Sequence, residues 1–211
     1  MLHKLVDKVY AINLKSSKSR RNNIYNECHK IGTHFELVEA IDGREENVDY
    51  VKNDWNSKYD GWTQGAAGLV YTTIGIIKDA KAKKYKSIMI LEDDIIFIGN
   101  TTQFAKNCFN SLPKNWELFH LTHQNYSKLP LTRKKDTFVL NSSWSCQAYA
   151  INESIYDEYL EWLELVDRPI DSITSQVFHP RGNSYAPLLN LIKTVPNYST
   201  IRGMEINYGI R

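Results

Sequence analysis

The fold is decided by the stretch SIMILEDDIIFI, residues 87–98. Its first apolar run, Ile88–Leu91, has the length of a strand and predicts a buried one. Three acids, Glu92, Asp93 and Asp94, follow this run directly. In an open α/β sheet, ligands bind at the carboxyl ends of the strands. This stretch therefore predicts both a central strand and the edge of the sheet that carries the chemistry.

Strands and helices alternate before this stretch. Two apolar segments predict strands, 5–14 and 35–40. The segment between them predicts a helix over 18–30 that Ser16 or Ser17 caps and Gly32 ends. A second helix is predicted by a stripe of side chains at helical spacing, Leu69, Thr73, Ile76, Ile77 and Ala80. The alternation predicts an α/β fold whose central sheet is mixed, mostly parallel and flanked by helices.

The second half of the chain mixes hairpin-like strands with helices. Strands are predicted at 116–121 and 147–151, with short ones near Tyr185 and Ser199. Helices are predicted from Thr101 or Thr102 to Leu112 and after the capping residue Asn152. No repeat and no linker divides the 211 residues. At roughly 150 residues per domain, the chain predicts a single domain over 1–211.

Composition excludes several classes of protein. Lysine and arginine number 26 against 24 acids, and the basic residues are scattered, which disfavours a nucleic-acid-binding face. The cysteines, Cys28, Cys108 and Cys146, form no CxxC pair, which excludes a zinc ribbon or a thioredoxin-like motif. No signal-peptide pattern and no membrane-length apolar run occurs. We therefore expect a cytoplasmic protein without an integral membrane segment.

The acid triplet is the most informative group. Adjacent carboxylates repel one another, and a divalent cation is the usual means of relieving that repulsion. A solvated acidic turn is the alternative interpretation of the same residues.

A second polar group follows the first strand. It comprises Ile12, Asn13, Leu14, Ser16, Ser17, Ser19, Arg20 and Arg21. Amides at the start of a helix and an arginine fork suit a phosphate group, although surface arginines would give the same pattern. No Gly-rich phosphate loop is present. Three glycines, Gly61, Gly65 and Gly68, precede the amphipathic helix and either admit a ligand to the backbone or end the loop.

The order of these motifs resembles family-25 glycosyltransferases, the relatives of lipopolysaccharide and collagen galactosyltransferases with a GT-A fold. The resemblance is carried by Val9–Leu14, Ser19–Arg21, Ala40–Arg44, Gly68, Leu91–Asp94, Cys146–Ile151, Pro169–Asp171 and Ser199–Ile201. It covers almost the whole chain. The length is also similar to that of the first domain of large algal-virus glycosyltransferases that decorate capsid glycans. That likeness implies the N-terminal part of a longer enzyme, located in the host cytoplasm.

The resemblance implies a metal-dependent enzyme that moves a hexose from a UDP-sugar to a hydroxyl of a glycan or glycoprotein. It implies Glu92 and Asp94 as ligands of Mn²⁺ or Mg²⁺, and Asp93 near the ribose or the sugar. Arg20 would meet the diphosphate. The rest of the implied nucleotide-sugar site consists of Ile12, Asn13, Leu14, Asp42 and Gly68.

Inversion at the sugar needs a general base beside the acceptor hydroxyl, and Asp171 is the candidate. A cap of the helix from Ser172 onward is the alternative role for Asp171. Asp60 is the next acid in line. One departure from the family pattern is the pair Thr72–Thr73, which stands where the family has a Ser-His pair.

Two other functions compete. A sugar nucleotidyltransferase would need a glycine-rich, lysine-bearing loop after the first strand, and Lys15–Lys18 supplies lysines without glycine. A glycan-binding module would use the thirteen tyrosines and five tryptophans to stack on sugars, but it would not need three acids at a strand end.

Overall fold

The computed structural model describes residues 1–52, 62–124 and 132–195, together with two short backbone strands at 197–199 and 204–206. The strands are β1 (Lys8–Asn13), β2 (Glu36–Glu39), β3 (Ser87–Glu92), β4 (Ile95–Phe97), β5 (Leu118–His120), β6 (Thr132–Lys134), β7 (Thr137–Val139), β8 (Ala148–Asn152), β9 (Ser184–Pro187), β10 (Ile192–Thr194), β11 (Asn197–Ser199) and β12 (Met204–Ile206). The α-helices are α1 (Lys18–Lys30), α2 (Gln64–Ala82), α3 (Thr101–Asn110), α4 (Tyr156–Glu164) and α5 (Ile170–Ile173).

The central sheet contains eight strands in the order β2-β1-β3-β8-β5-β9-β7-β6 within the described ranges. Six of these strands run in one direction, and β8 and β7 run against them. The expected α/β class and the mixed, mostly parallel sheet are therefore confirmed. Because β8 is antiparallel to β3, the segment that leads into β8 lies beside the carboxyl end of β3.

Helices cover both faces of this sheet. Alternate residues of β1 and β3 point to opposite faces, as the two-residue period of a strand requires. Tyr10 and Ile90 join the core under α2 and α4, whereas Val9 and Met89 join the core under α1 and α3. The apolar runs that predicted the strands are thus buried on both faces, which is typical of a sheet covered by helices on each side.

Most of the predicted elements are present. The helix over 18–30 and its end at Gly32, which has a positive φ of 61°, are confirmed. Ser17 is the N-cap residue of α1, as predicted, but its side chain makes no capping hydrogen bond. Asn152 does cap the short 3₁₀ turn that leads into α4. The hairpin of β6 and β7 is an element that the sequence did not predict.

Other expectations are tested only in part. None of the helices in the described ranges is long and apolar enough to cross a bilayer. The three cysteines are buried free thiols. Asp60, Gly61, Thr200 and Ile201 lie outside the described residues. The single domain over 1–211 stays a prediction.

Candidate active site

A cleft lies at the carboxyl ends of β1, β2 and β3. In the parallel register of these strands, Asn13 is opposite Glu39 and Ile12 is opposite Glu92, so the three strands end at one edge. The wall of the cleft is formed by Ile12, Asn13, Leu14, Ser16, Arg20, Ala40, Ile41, Asp42, Gly43, Arg44, Gly65, Leu69, Glu92 and Asp93. Residues that are up to 81 positions apart in the sequence thus surround one space, as the strand-end rule predicted.

Seven of the ten predicted site residues line this cleft, namely Ile12, Asn13, Leu14, Arg20, Asp42, Glu92 and Asp93. Gly68 lies beneath the cleft, under the loop that carries Asp42. Asp94 and Asp171 are not part of the wall, but each interacts electrostatically with a residue of the wall. Asp94 is ion-paired with Arg20, and the charge of Asp171 raises the pKa of Glu92.

Two glycines allow the loop that carries Asp42 to pack closely against α2. A Cβ on Gly43 would lie 1.8 Å from the carbonyl oxygen of Gln64, and one on Gly68 would lie 2.4 Å from the carbonyl oxygen of Ile41. Only hydrogen at both positions allows the loop to rest on the first turns of α2. Gly68 therefore shapes the cleft from below rather than contacting a ligand at its surface.

Thr72 completes this attachment. Its hydroxyl accepts a hydrogen bond from the Ile41 amide at 2.9 Å and donates one to the Gly68 carbonyl at 2.8 Å. Thr73 donates to the Leu69 carbonyl within α2. Thr72, which stands where the family has the serine of its Ser-His pair, thus binds the cleft loop to α2 through a hydrogen bond.

Both carboxylate oxygens of Asp93, the middle acid of the triplet, have polar partners. One oxygen of the Asp93 carboxylate is 2.5 Å from Nη2 of Arg20, and the other accepts a hydrogen bond from Nδ2 of Asn13 at 2.6 Å. The Asn13 amide also donates to the Ser17 carbonyl and accepts from Nε of Arg21. The Asn13 side chain therefore links the Asp93 carboxylate to the start of α1.

The two outer acids, Glu92 and Asp94, have fewer polar partners. Oδ2 of Asp94 is 3.0 Å from Nη2 of Arg20, but its Oδ1 is buried and has no hydrogen-bond partner among the described residues. Glu92 lines the cleft, and its carboxylate accepts no hydrogen bond within the described ranges. Glu92 and Asp94 thus keep oxygen atoms that a ligand can use.

Arg20 does not compensate the acids completely. Burial raises the pKa of Glu92, and the charges of Asp94 and Asp171 raise it further. Burial also raises the pKa of Asp93 and of Asp94, although the Arg20 guanidinium opposes the shift in both. Three carboxyl groups whose pKa values stay raised beside one guanidinium indicate a site that is short of positive charge.

Helix α1 holds this acidic turn with a polar stripe that the sequence analysis missed. Arg20, Asn23 and Glu27 occupy positions i, i+3 and i+7 of one helical face. Nδ2 of Asn23 donates to the carbonyls of Asp93 and Ile95 at 2.9 Å, and the carboxylate of Glu27 accepts from the Phe97 amide at 3.0 Å. The signal in the sequence is the i, i+3, i+7 spacing of polar residues on a helix that buries Ile24 and Cys28 on another face.

Seven residues of the cleft wall were not among the ten predicted site residues: Ser16, Ala40, Ile41, Gly43, Arg44, Gly65 and Leu69. Ser16 and Gly65 belong to groups for which the sequence had left ligand binding open. Arg44 is exposed and adds a second guanidinium to the cleft. Gly65 is in the first turn of α2, whose cap residue Thr63 accepts a hydrogen bond from the Ala66 amide. The first turn of a nineteen-residue helix, where the positive end of its dipole lies, therefore borders the cleft.

Asp171, the proposed base, lies outside the cleft wall. It is in the first turn of α5, whose N-cap is Pro169, so the alternative role of Asp171 as the N-cap is wrong. A π-helical turn, Thr174–Phe178, follows α5, and such turns are frequent at functional sites. Burial raises the pKa of the Cys146 thiol, and the nearby charge of Asp171 raises it further. Asp171 is thus close to Glu92 and to the segment that leads into β8.

The residues fit a metal that arrives with a phosphate ligand. In ranges 1–52, 62–124 and 132–195, no three His, Cys, Asp or Glu side chains converge as a protein-only metal site. Mg²⁺ in nucleotide sites is usually held by one or two carboxylates together with substrate phosphates, so such a convergence is not required. The buried, unpartnered Oδ1 of Asp94 is the observation that fits a cation.

This α/β fold has a cleft lined by acids and arginines at its strand ends, the edge at which open α/β sheets bind their ligands. The family model of glycosyltransferase family 25, described as lipopolysaccharide biosynthesis proteins, matches residues 6–174, and the chain belongs to this family. Membership supports glycosyl transfer as the class of activity.

The chain is similar to two curated proteins over part of its length. One is procollagen galactosyltransferase 2 of Mus musculus, 23% identical over 128 residues, which are 54% of this chain and 20% of that protein. The other is a glycosyltransferase 25 family member of Aedes aegypti, 28% identical over 101 residues, which are 44% of this chain and 17% of that protein. The matched segments span about a fifth of these relatives.

Among solved structures, the chain is similar to a glycosyltransferase involved in the glycosylation of the major capsid of PBCV-1. The alignment covers 85% of this chain and 79% of that chain, with 11% identity and a TM-score of 0.44.

Proposed function

We propose that this chain transfers a hexose from a UDP-sugar to a hydroxyl of a glycan or glycoprotein acceptor, with inversion at the sugar and with Mn²⁺ or Mg²⁺ as cofactor. The observation that carries the proposal is the single cleft that Asn13, Arg20, Asp42 and Glu92 form at the ends of β1, β2 and β3. Family membership supports glycosyl transfer, and the donor, the metal and the stereochemistry belong to the proposal.

The donor diphosphate would lie between the two arginines of the cleft and the start of α2. Arg20 and Arg44 both line the cleft, and so does Gly65, which is in the first turn of α2. Guanidinium groups and helix amides bind phosphate oxygens with charge-assisted hydrogen bonds. Asp42, on the loop that Gly43 and Gly68 seat against α2, would line the nucleoside side of the site.

Glu92 and Asp94 would hold the metal, because they keep carboxylate oxygens free of partners within the described ranges. When bound, the divalent cation neutralises the charge that develops on the leaving diphosphate. The contacts of Asp93 revise its implied place near the ribose. Both of its oxygens already bind Arg20 and Asn13, so we assign Asp93 to positioning those two side chains.

Asp171 would serve as the general base. Its carboxylate would accept the proton of the acceptor hydroxyl while that oxygen bonds to the anomeric carbon and the bond to the diphosphate breaks. The position supports this role, because the charge of Asp171 acts both on Glu92 at the end of β3 and on Cys146 in the segment before β8.

The test is a calorimetric titration of UDP into the protein in Mn²⁺ and in EDTA. We expect binding at least about tenfold tighter in Mn²⁺, a difference of about 1.4 kcal/mol, and we expect Asp94→Asn to remove that difference. Asp157→Asn is the matched control, because Asp157 is an exposed carboxylate that pairs with Lys81 away from the cleft. Equal UDP affinity in the two buffers would contradict the metal. Failure of a panel of UDP-sugars to bind or to turn over would contradict the donor.

A further inference from the structure

The Arg20 guanidinium contacts the acids of the turn after β3, and Arg20 also lines the cleft. Its Nη2 atom is 2.5 Å from Oδ1 of Asp93 and 3.0 Å from Oδ2 of Asp94, and the arginine side chain is only 14% exposed. Arg20 therefore supplies the positive charge that keeps two neighbouring carboxylates together.

The same contact divides the two oxygens of Asp94. Oδ2 binds Arg20, whereas Oδ1 is buried and unpartnered among the described residues. A cation at Asp94 would gain this one free oxygen but would stand beside a fixed unit charge of its own sign. Like charges at such range repel appreciably even in a medium of high dielectric constant.

We infer that Arg20 is a built-in counter-cation that competes with the divalent metal for Asp94 and yields when a nucleotide diphosphate draws the guanidinium to its own phosphates. Resting on the proposed function, this inference makes metal binding dependent on the nucleotide. Arg20 can make the exchange because it lines the cleft as well as the acidic turn. Asp93, whose other oxygen is held by Asn13, remains in place during the exchange.

The inference predicts opposite effects of one substitution. Arg20→Gln removes the competing charge and should tighten the binding of Mn²⁺ alone by about tenfold or more. The same variant loses a phosphate ligand and should bind UDP more weakly. An arginine that only maintains the structure of the turn would instead lower both affinities when it is replaced.

Two variants serve as controls. Arg20→Lys keeps the charge and should leave the Mn²⁺ affinity within a few-fold of the parent. Arg21→Gln removes the same charge from the next position of α1, where Nε contacts Asn13 and no carboxylate of the triplet. It should also leave the Mn²⁺ affinity unchanged.

The experiment is a titration of Mn²⁺ into each protein without nucleotide, with free Mn²⁺ measured by its electron paramagnetic resonance signal. Mn²⁺ affinity that is unchanged or lower in Arg20→Gln would overturn the inference, as would Mn²⁺ binding too weak to detect in every variant. If Arg20→Gln does not fold in EDTA, Mn²⁺ must restore its circular dichroism spectrum, and absence of that recovery also overturns the inference. The titration contains no UDP, so failure of the UDP-sugar panel would contradict the proposed function separately.

Discussion

We expect a buried pair of histidines, His120 and His179, to make the stability of this fold depend on pH. The Ser143 amide donates to Nδ1 of His179, and Nδ1 of His120 lies 2.8 Å from the Ser145 carbonyl, which can only accept. The Nε2 atoms of the two rings are 3.2 Å apart. These partners fix the tautomers: His120 carries its proton on Nδ1, and His179 donates from Nε2 to His120. Both rings are therefore neutral in the folded protein, and neither has room for a second proton without breaking a hydrogen bond.

The magnitude follows from the pKa values. Burial lowers the pKa of His120 to about 4 and that of His179 to about 2, from an ordinary value of about 6.5. Below pH 6.5 the unfolded chain binds protons that the folded protein does not, so the free energy of unfolding falls as the pH falls. This stability is present above pH 6.5 and is lost down to about pH 4 for His120. Each histidine removes roughly 2 kcal/mol between pH 6.5 and pH 5.

The substitution His179→Gln isolates one of these contributions. Glutamine can still donate to Nε2 of His120 but does not titrate. We expect the parent to lose roughly 2 kcal/mol more than the variant in urea unfolding between pH 7.5 and pH 5. All other titrating groups are common to both proteins and cancel in this difference. His29→Gln, a substitution of an exposed histidine at the end of α1, should keep the pH dependence of the parent. Parallel stability curves for the parent and His179→Gln would refute the reasoning.

Two further substitutions test the cleft and the proposed base. Gly68→Ala places a Cβ 2.4 Å from the Ile41 carbonyl and should cost about 1–3 kcal/mol of stability and weaken UDP-sugar binding. Gly75→Ala, in open space on the same helix, should stabilise by about 0.5–1 kcal/mol, and equal urea midpoints for the two variants would contradict the close contact. Asp171→Asn should lower acceptor-dependent turnover by about 10²–10⁴-fold while UDP-sugar affinity stays constant. Turnover within a few-fold of the parent would remove Asp171 from the mechanism.

Local sequence patterns specify the main strands and helices and the sheet edge at which the cleft lies. The apolar run Ile88–Leu91 and the helical stripe from Leu69 to Ala80 specify β3 and α2, because their periodicity follows directly from strand and helix geometry. Acids after one strand and polar residues after another then predict a shared edge. Seven of the ten predicted site residues line the cleft there because parallel strands end together.

The contacts within that edge were decided by the tertiary structure. Whether Arg20 reaches a ligand or the acids depends on how α1 packs against the turn after β3, and Asn23 fixes that packing through two backbone carbonyls. The approach of Gly43 to Gly68 likewise joins residues of a loop and a helix that no local pattern relates. These contacts depend on side-chain and backbone positions to within an ångström, and sequence spacing does not define such distances.

The order and direction of the strands were also decided by the tertiary structure. The apolar sequence of β8 is compatible with either direction, and only its pairing with both β3 and β5 makes it antiparallel. That reversal brings the Gln147 carbonyl to the Glu92 amide at 2.7 Å and places Asp171 near the acids. Hydrophobic periodicity records which residues are buried, whereas strand direction and ion pairing arise from contacts between distant segments. The sequence therefore predicted the edge of the sheet at which the cleft lies, and the packing of α1 and β8 decided which side chains face one another there.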